Sequence, residues 1–316
     1  MIKVLVTDDC HPILVEKLIV ENVAVDFLPK LTLEQIDEII AQYDGIVINT
    51  RVKMDQRRID LGKELKFIAR MGSGLDIIDL KHAALKGIKV ISSPEGNAQA
   101  VAEHSLAMLL ALFNKLPLGS EQVRLFKWNR EHARGRELSG KTVGIIGYGH
   151  TGPAFAKVLS GFNVNVKVFD KYKHVPGEIS GLATIGNAAF EEVISTSDII
   201  SFNIPLTDET AFLVDEPLIS KMKTGVILIN ASRGKVTNLK AIINGLQSGK
   251  IAGCCLDVYP NEKTETYTTE EEDIISELAS HPSVILTPHV AGWTIESKEK
   301  IALVLVEKIK KNILAN

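Results

Sequence analysis

The sequence predicts an α/β protein of two domains, each built on a doubly wound parallel sheet. Short continuous apolar runs alternate with helical patterns along its 316 residues. Strands buried on both faces, with helices crossing between them, produce that alternation. The length suits two domains rather than one. The stretch VGIIGYGHTGPAFAKVLSGFNVNVKVFD, Val143 to Asp170, restarts the pattern in mid-chain as strand, glycine turn, helix and second strand.

In chain order, the first strands are expected at Lys3–Thr7, Val23–Leu28, Gly45–Ile48, Phe67–Ala69 and Lys89–Ile91. Helical stretches Pro12–Glu21, Leu33–Gln42, Asp55–Lys63 and Leu80–Lys86 lie between them. Thr32, with Gln35 three residues on, has the pattern of a capping box. Residues 98–116, AQAVAEHSLAMLLALFNKL, read as a long buried helix. Pro117 and Gly119 punctuate the chain before a basic amphipathic stretch, 123–141. Its Leu125, Phe126 and Trp128 favour a subunit contact over a solvated arm.

The second unit begins at Lys141 and continues, beyond the glycine stretch, with strands Asp198–Asn203, Val226–Asn230, Ala252–Val258 and Val284–Leu286. Helices are expected at Ala188–Ser195, Glu216–Lys221, Leu239–Ser248 and Thr269–Ala279. The acidic run Glu270–Asp273 suits a helix N-terminus, where the dipole favours negative charge. A last helix, about Ser297 to Leu314, is expected to return to the first unit.

Composition narrows the function classes. The chain is 45% hydrophobic and 24% charged with a net charge of -3, so it has no basic footprint for nucleic acid or an anionic membrane. No apolar run approaches the roughly 20 residues that span a bilayer. Met1 leads directly into a strand, and a cytoplasmic chain without a leader peptide is expected. The three cysteines, Cys10 and the adjacent Cys254 and Cys255, fit neither a disulfide framework nor a metal knuckle. No histidine or cysteine pair has metal-ligand spacing, so no metal is expected.

The glycine stretch carries the first chemistry. Gly147 permits a tight turn, Gly149 lets a phosphate approach the backbone, and Gly152 lets the helix pack on its strand. Free N–H groups at that helix start favour a pyrophosphate. Asp170, 18 residues after Gly152, is placed to bond a ribose hydroxyl and repel a 2′-phosphate. The cofactor read from these residues is NAD. Pro153 sits in the first helical turn, where a missing N–H costs little.

Ligands of open parallel sheets bind beyond the carboxyl ends of the strands. Arg233 follows strand Val226–Asn230, and Asp257 and Glu262 come with the next strand. His289 follows Val284–Leu286. Together they suit hydride transfer to a 2-oxo acid. An arginine holds a carboxylate in two bonds. A histidine supplies the proton that the carbonyl oxygen gains, and a carboxylate orients its ring. Singly, Arg233 also reads as a surface residue, Glu262 as a loop charge and His289 as a packed histidine; their joint placement favours the site.

With these motifs in view, the chain resembles the D-isomer-specific 2-hydroxyacid dehydrogenase family, and in particular its phosphoglycerate dehydrogenase-like members. The likeness is carried by ARMGSGLDIIDL (69–80), NAQAVAEHSLAMLL (97–110), the glycine stretch, IPLTDET (204–210), LINASRGKV (228–236), CCLDVYPNE (254–262) and ILTPHVAGWT (285–294). It implies a flavodoxin-like substrate domain, 1–97 plus 291–316, and a Rossmann NAD-binding domain, 98–290, hinged near Ala98 and Ala291. It implies Arg233 as carboxylate binder, His289 as acid/base, Glu262 as its partner and Asp257 at the nicotinamide amide. Ser73 and Gly74 would give backbone donors to the substrate carboxylate. His150, Thr151, Pro205, Thr210, Ala231, Ser232 and Gly292 would line the cofactor, and a homodimer would form around the long helix and the arm after it.

Several positions depart from the family pattern. His150 and Thr151 replace the usual arginine and isoleucine, and Asn203 replaces a histidine or cysteine. Lys263 replaces the proline after the glutamate, which predicts a looser loop around Glu262. Arg51, with Lys53, is the candidate to meet a phosphate if the substrate carries one. With the sequence closing at Asn316, the C-terminal regulatory domain of many phosphoglycerate dehydrogenases is not expected.

Two function classes fit. One is an NAD-dependent oxidoreductase interconverting a D-2-hydroxy acid, D-3-phosphoglycerate among the candidates, and its 2-oxo acid. The other is an NADH-binding sensor of the corepressor kind on the same fold. Formate dehydrogenases are disfavoured, because they carry glutamine where Glu262 stands. The remaining histidines are not expected to catalyse: His104 sits mid-helix as a packed or hinge-facing residue, and His11, His82, His132, His174 and His281 fall in loops or on polar faces.

Overall fold

The computed structural model describes residues 1–175 and 177–315. The chain divides into two compact units, Met1–Ala98 with Trp293–Asn316, and Gln99–Gly292.

In the first unit, β1 (Lys3–Val6), α1 (Ile13–Val20), β2 (Ala24–Phe27), α2 (Leu33–Ile39), β3 (Gly45–Ile48), α3 (Gln56–Leu61), β4 (Phe67–Arg70), α4 (Leu80–Leu85) and β5 (Lys89–Ser92) follow one another. The strands form a parallel sheet in the order β2-β1-β3-β4-β5. Alternation along β1 shows why Val4, Leu5 and Val6 are all apolar. Val4 and Val6 join a core with Leu14 and Leu18 of α1 and Leu305 and Ile309 of the closing helix, Ile295–Ile309. Leu5 points the other way, to Ile36, Ile59 and Ala83. Val4, Leu5 and Val6 are fully buried, each worth about 1.5–3 kcal/mol over an exposed side chain. The Thr32–Gln35 capping box is present.

The division between units falls within α5 (Pro94–Phe113). This helix starts four residues earlier than the apolar pattern suggests. Pro94 in the first turn has no N–H to satisfy there, and its φ is already helical. A second difference follows at once: α6 (Leu116–Arg124) is a helix where Pro117 and Gly119 suggest a break. Pro117 again lies in the first turn, so its ring interrupts no bond. Beyond it, Phe126 is 99% and Trp128 82% exposed.

The second unit's sheet comprises β6 (Thr142–Ile146), β7 (Asn165–Phe169), β8 (Glu178–Ser180), β9 (Ala183–Asn187), β10 (Ile199–Phe202), β11 (Val226–Asn230), β12 (Ile251–Leu256) and β13 (Val284–Leu286). Helices α7 (Thr151–Val158), α8 (Phe190–Thr196), α9 (Glu216–Lys221), α10 (Leu239–Gln247) and α11 (Thr269–Ser280) connect them. The order is β13-β12-β11-β10-β6-β7-β9-β8, parallel except for β8. The β8–β9 hairpin was not expected. Its strands are short, and with Gly181 in the turn and Gly186 in β9 they lack the apolar run that marks the others. Cys254 and Cys255 lie wholly inside this sheet, where burial pushes the Cys254 thiol up to about 12 and Cys255 up as well.

The α11 start carries a capping box, Thr268 with Glu271, inside the acidic run. Among the described residues no helix is long and apolar enough to cross a membrane, and no group of three metal-ligating side chains occurs.

Candidate active site

Register builds the site. Phe169, Ile146, Phe202, Asn230, Leu256 and Leu286 pair in one row across six neighbouring strands. The next residue of each chain segment is therefore Asp170, Gly147, Asn203, Ala231, Asp257 and Thr287, side by side at the carboxyl edge. The ladder runs one step further, with Gly147 N–H on Phe169 O at 2.8 Å and Asp257 N–H on Asn230 O at 3.0 Å.

At the glycine turn Gly147 has φ +93, a conformation that side chains rarely adopt. A Cβ on Gly152 would stand 2.2 Å from Gly147 O, so the first turn of α7 can approach the glycine loop only without one. A Cβ on Gly149 meets nothing within 4 Å, which leaves that part of the turn open to a ligand. His150 is exposed at the N-cap of α7 and Thr151 begins it. Pro153 lies within α7, which runs on to Val158. Asp170 accepts Tyr148 N–H at 2.6 Å and the N–H groups of Tyr172 and Lys173 at 2.9 and 3.0 Å. This carboxylate is fixed by backbone donors at the tip of the loop. These features fit a dinucleotide: open backbone, a helix N-terminus and an oriented acid.

The loop after β10 is closed by Thr210, whose hydroxyl donates to Pro205 O at 2.7 Å and accepts Thr207 N–H at 2.8 Å. Asn203 turns its amide to Ser201.

After β11, buried Asn230 shapes the turn that carries Arg233. Its amide nitrogen donates to Arg233 O and Thr237 Oγ1, and its oxygen accepts both N–H and hydroxyl of Ser232. Ala231, Ser232 and Arg233 are each half-buried. Gly234 packs directly on Tyr259, where a Cβ would come within 1.9 Å of its carbonyl carbon.

His289 and Glu262 meet. Nδ1 of the ring stands 2.7 Å from Glu262 Oε2, with the side chains 49% and 39% exposed. A carboxylate only accepts, so Nδ1 carries the hydrogen and the opposite nitrogen is the one able to meet a substrate. Tyr259 N–H holds the other Glu262 oxygen at 3.2 Å. Burial opposes ionisation of Glu262, but the His289 bond and charge, the Tyr259 N–H and the charge of Arg233 outweigh it and lower its pKa. The stabilisation from this pairing is thus present above the unfolded glutamate value and lost as pH falls through the lower folded one. The Glu262 loop is not loose despite Lys263. Asn261 braces it by donating to Thr266 Oγ1 and Glu271 Oε1 and accepting Lys263 N–H.

Asp257, expected at the nicotinamide, has no exposed surface. Its Oδ1 accepts Thr287 Oγ1–H at 2.6 Å and Val290 N–H at 2.9 Å, and Oδ2 accepts Ala291 N–H at 2.9 Å. It grips the loop on both sides of His289, which itself sits at φ +55. Gly292 follows, half-buried. Tyr259 was also missed from sequence. Its hydroxyl donates to Leu256 O or Thr287 O, at 3.1 and 3.0 Å, and burial followed by the nearby Asp257 pushes its pKa up, so it remains a donor.

The remaining predicted residues belong to the first unit. Ser73 Oγ donates to Asn97 Oδ1 at 2.8 Å, and Gly74 beside it is half-buried. Arg51 is not a waiting cation. It bonds Asp8 Oδ1 at 3.1 Å, Leu31 O at 2.7 Å, Pro29 O at 3.5 Å and also Thr7 O.

Residues 106–291 match the model of the D-isomer specific 2-hydroxyacid dehydrogenase NAD binding domain. The chain is 34% identical to the hydroxypyruvate reductase of Thermotoga maritima, over 89% of this chain and 88% of that protein. It is 32% identical to the D-3-phosphoglycerate dehydrogenase of Archaeoglobus fulgidus over 97% of this chain, but spans only 56% of that protein's length. It is similar in structure to the D-lactate dehydrogenase of Aquifex aeolicus complexed with NAD and lactic acid. The TM-score is 0.81 at 29% identity, covering 99% of this chain and 96% of that one.

Replacing Gly152 by Ala puts a methyl group against Gly147 O. The expected result is NADH affinity reduced by about tenfold or more, a loss of at least ~1.4 kcal/mol, read by quenching of protein fluorescence. Unchanged affinity would contradict the close approach described here.

Proposed function

The chain belongs to the D-isomer specific 2-hydroxyacid dehydrogenase family, and from that premise we propose that it reduces a short 2-oxo acid to the D-2-hydroxy acid. The observation that carries this reading is the His289–Glu262 pair at 2.7 Å, with the charge of Arg233 acting on Glu262. NADH, when bound along the glycine turn and Asp170, supplies the hydride. Arg233 holds the substrate carboxylate through its forked donors. His289 delivers the proton to the oxygen that was the carbonyl, and Glu262 keeps the ring in the tautomer and direction for that transfer. In the reverse direction the same nitrogen takes the proton from the hydroxyl.

Among substrates, the ties of Arg51 to Asp8 and three carbonyls favour an unphosphorylated acid of the glyoxylate, hydroxypyruvate or pyruvate kind over 3-phosphohydroxypyruvate. The sensor reading keeps the same NADH site and differs in predicting no turnover. We also propose a homodimer, because an apolar arm as exposed as Phe126 and Trp128 invites a covering surface.

With NADH and a panel of 2-oxo acids, turnover is expected with at least one unphosphorylated acid. His289→Ala should lower kcat by about a hundredfold or more while NADH still binds. Near-wild-type turnover in that variant overturns the assignment, and tight NADH binding without turnover on any acid supports the sensor. In sedimentation, the wild type should run at twice the chain mass and Trp128→Glu at the chain mass; a monomeric wild type refutes the dimer.

A further inference from the structure

His104 is a half-buried polar residue of α5, one turn from the buried Val101 and Met108 on either side. Its side chain is 25% exposed, and its Nε2 stands 3.1 Å from Thr287 Oγ1 and 3.6 Å from Asp257 Oδ1. Hydrogen counting fixes the direction of these contacts. Thr287 has one hydroxyl hydrogen, and at 2.6 Å the Asp257 carboxylate is the strong acceptor for it. Oγ1 can then only accept from His104, so Nε2 carries a hydrogen. The chain of bonds runs from His104 through Thr287 to Asp257.

We propose that His104 is a positioning residue for His289, acting through Thr287 and Asp257; the proposal rests on the acid/base reading of His289 given above. Asp257 holds both sides of the His289 loop. Its side chain takes Thr287 Oγ1–H before His289 and Val290 and Ala291 N–H after it, and its carbonyl takes His289 N–H at 2.8 Å. The left-handed backbone at His289 is uncommon for a residue with a Cβ, so the loop needs that grip to hold it. Thr287 has a second acceptor within reach, Met108 Sδ at 3.5 Å. The His104 donor fills the lone pair of Oγ1 and keeps its hydrogen on Asp257. Without it the hydroxyl is free to turn to the sulfur, and one end of the loop loses its anchor.

The test compares His104→Phe, which keeps a ring but no donor, with His104→Gln, whose amide nitrogen can stand where Nε2 does. His104→Phe should lower kcat roughly tenfold, with KM for the 2-oxo acid and NADH affinity within about twofold of wild type, because an acid/base ring displaced by a fraction of an ångström loses rate, not binding. His104→Gln should recover most of that loss. An unchanged kcat in His104→Phe, an equal loss in His104→Gln, or a parallel loss of NADH affinity overturns the proposal. If His104→Phe does not fold, Thr287→Val against Thr287→Ser makes the same comparison. A wild type without turnover refutes the acid/base reading instead, and the network is then read by NMR. The His289 ring proton, identified by its loss in His289→Gln, should shift in His104→Phe and not in His104→Gln; an unmoved signal in His104→Phe overturns the proposal.

Discussion

The site depends on one constraint, the common register of six parallel strands. Because Phe169, Ile146, Phe202, Asn230, Leu256 and Leu286 pair in a single row, the strands end together. Every segment then turns at the same edge. Residues separated by more than a hundred positions in sequence, Asp170 and Thr287 among them, are delivered to one line. A shift of one residue in any pair would send the following side chain to the opposite face of the sheet. Burial of the central strands β6, β10, β11 and β12 on both faces specifies their pairing. The apolar core and the chemistry at its rim are therefore one design.

Two carboxylates on that rim do different work because their surroundings differ. Asp257 is wholly enclosed and spends its oxygens on Thr287, Val290 and Ala291. Glu262 is partly exposed, faces the ring of His289 and lies in the field of Arg233. The first fixes where the histidine is; the second fixes how its ring is turned. Tyr259 joins them, with its hydroxyl between Leu256 and Thr287, its N–H on Glu262, and its backbone packed on Gly234 next to Arg233.

Much of this was legible in the sequence, for local reasons. Apolar runs mark buried strands, and the glycine spacing marks a turn that must stay free of side chains. Arg233, Glu262 and His289 stand out because each follows such a strand. What escaped depends on partners far along the chain or on the position of a residue within its element. The contact of His104 is with a residue 183 positions away, so on its own helix it reads as packing. Arg51 stands where an anion binder is expected, but Asp8, 43 positions away, neutralises it. Asp257 follows its strand at the sheet edge, and its bonds to Thr287, Val290 and Ala291, 30 or more positions on, are not readable from the strand itself. Pro117 reads as a breaker until its place in the first turn of α6 is known. The β8–β9 hairpin has too little apolar sequence to announce itself.

The central claim is that this edge carries out hydride transfer to the C2 atom of a 2-oxo acid with D stereochemistry. It is tested most directly with NADH deuterated on nicotinamide C4, prepared as each of the two epimers in turn. The product's C2 is then analysed by mass spectrometry and its configuration by chiral chromatography. The account predicts deuterium at C2 of the D-hydroxy acid from one epimer and none from the other. Formation of the L-acid, or a product without deuterium from either epimer, would contradict it.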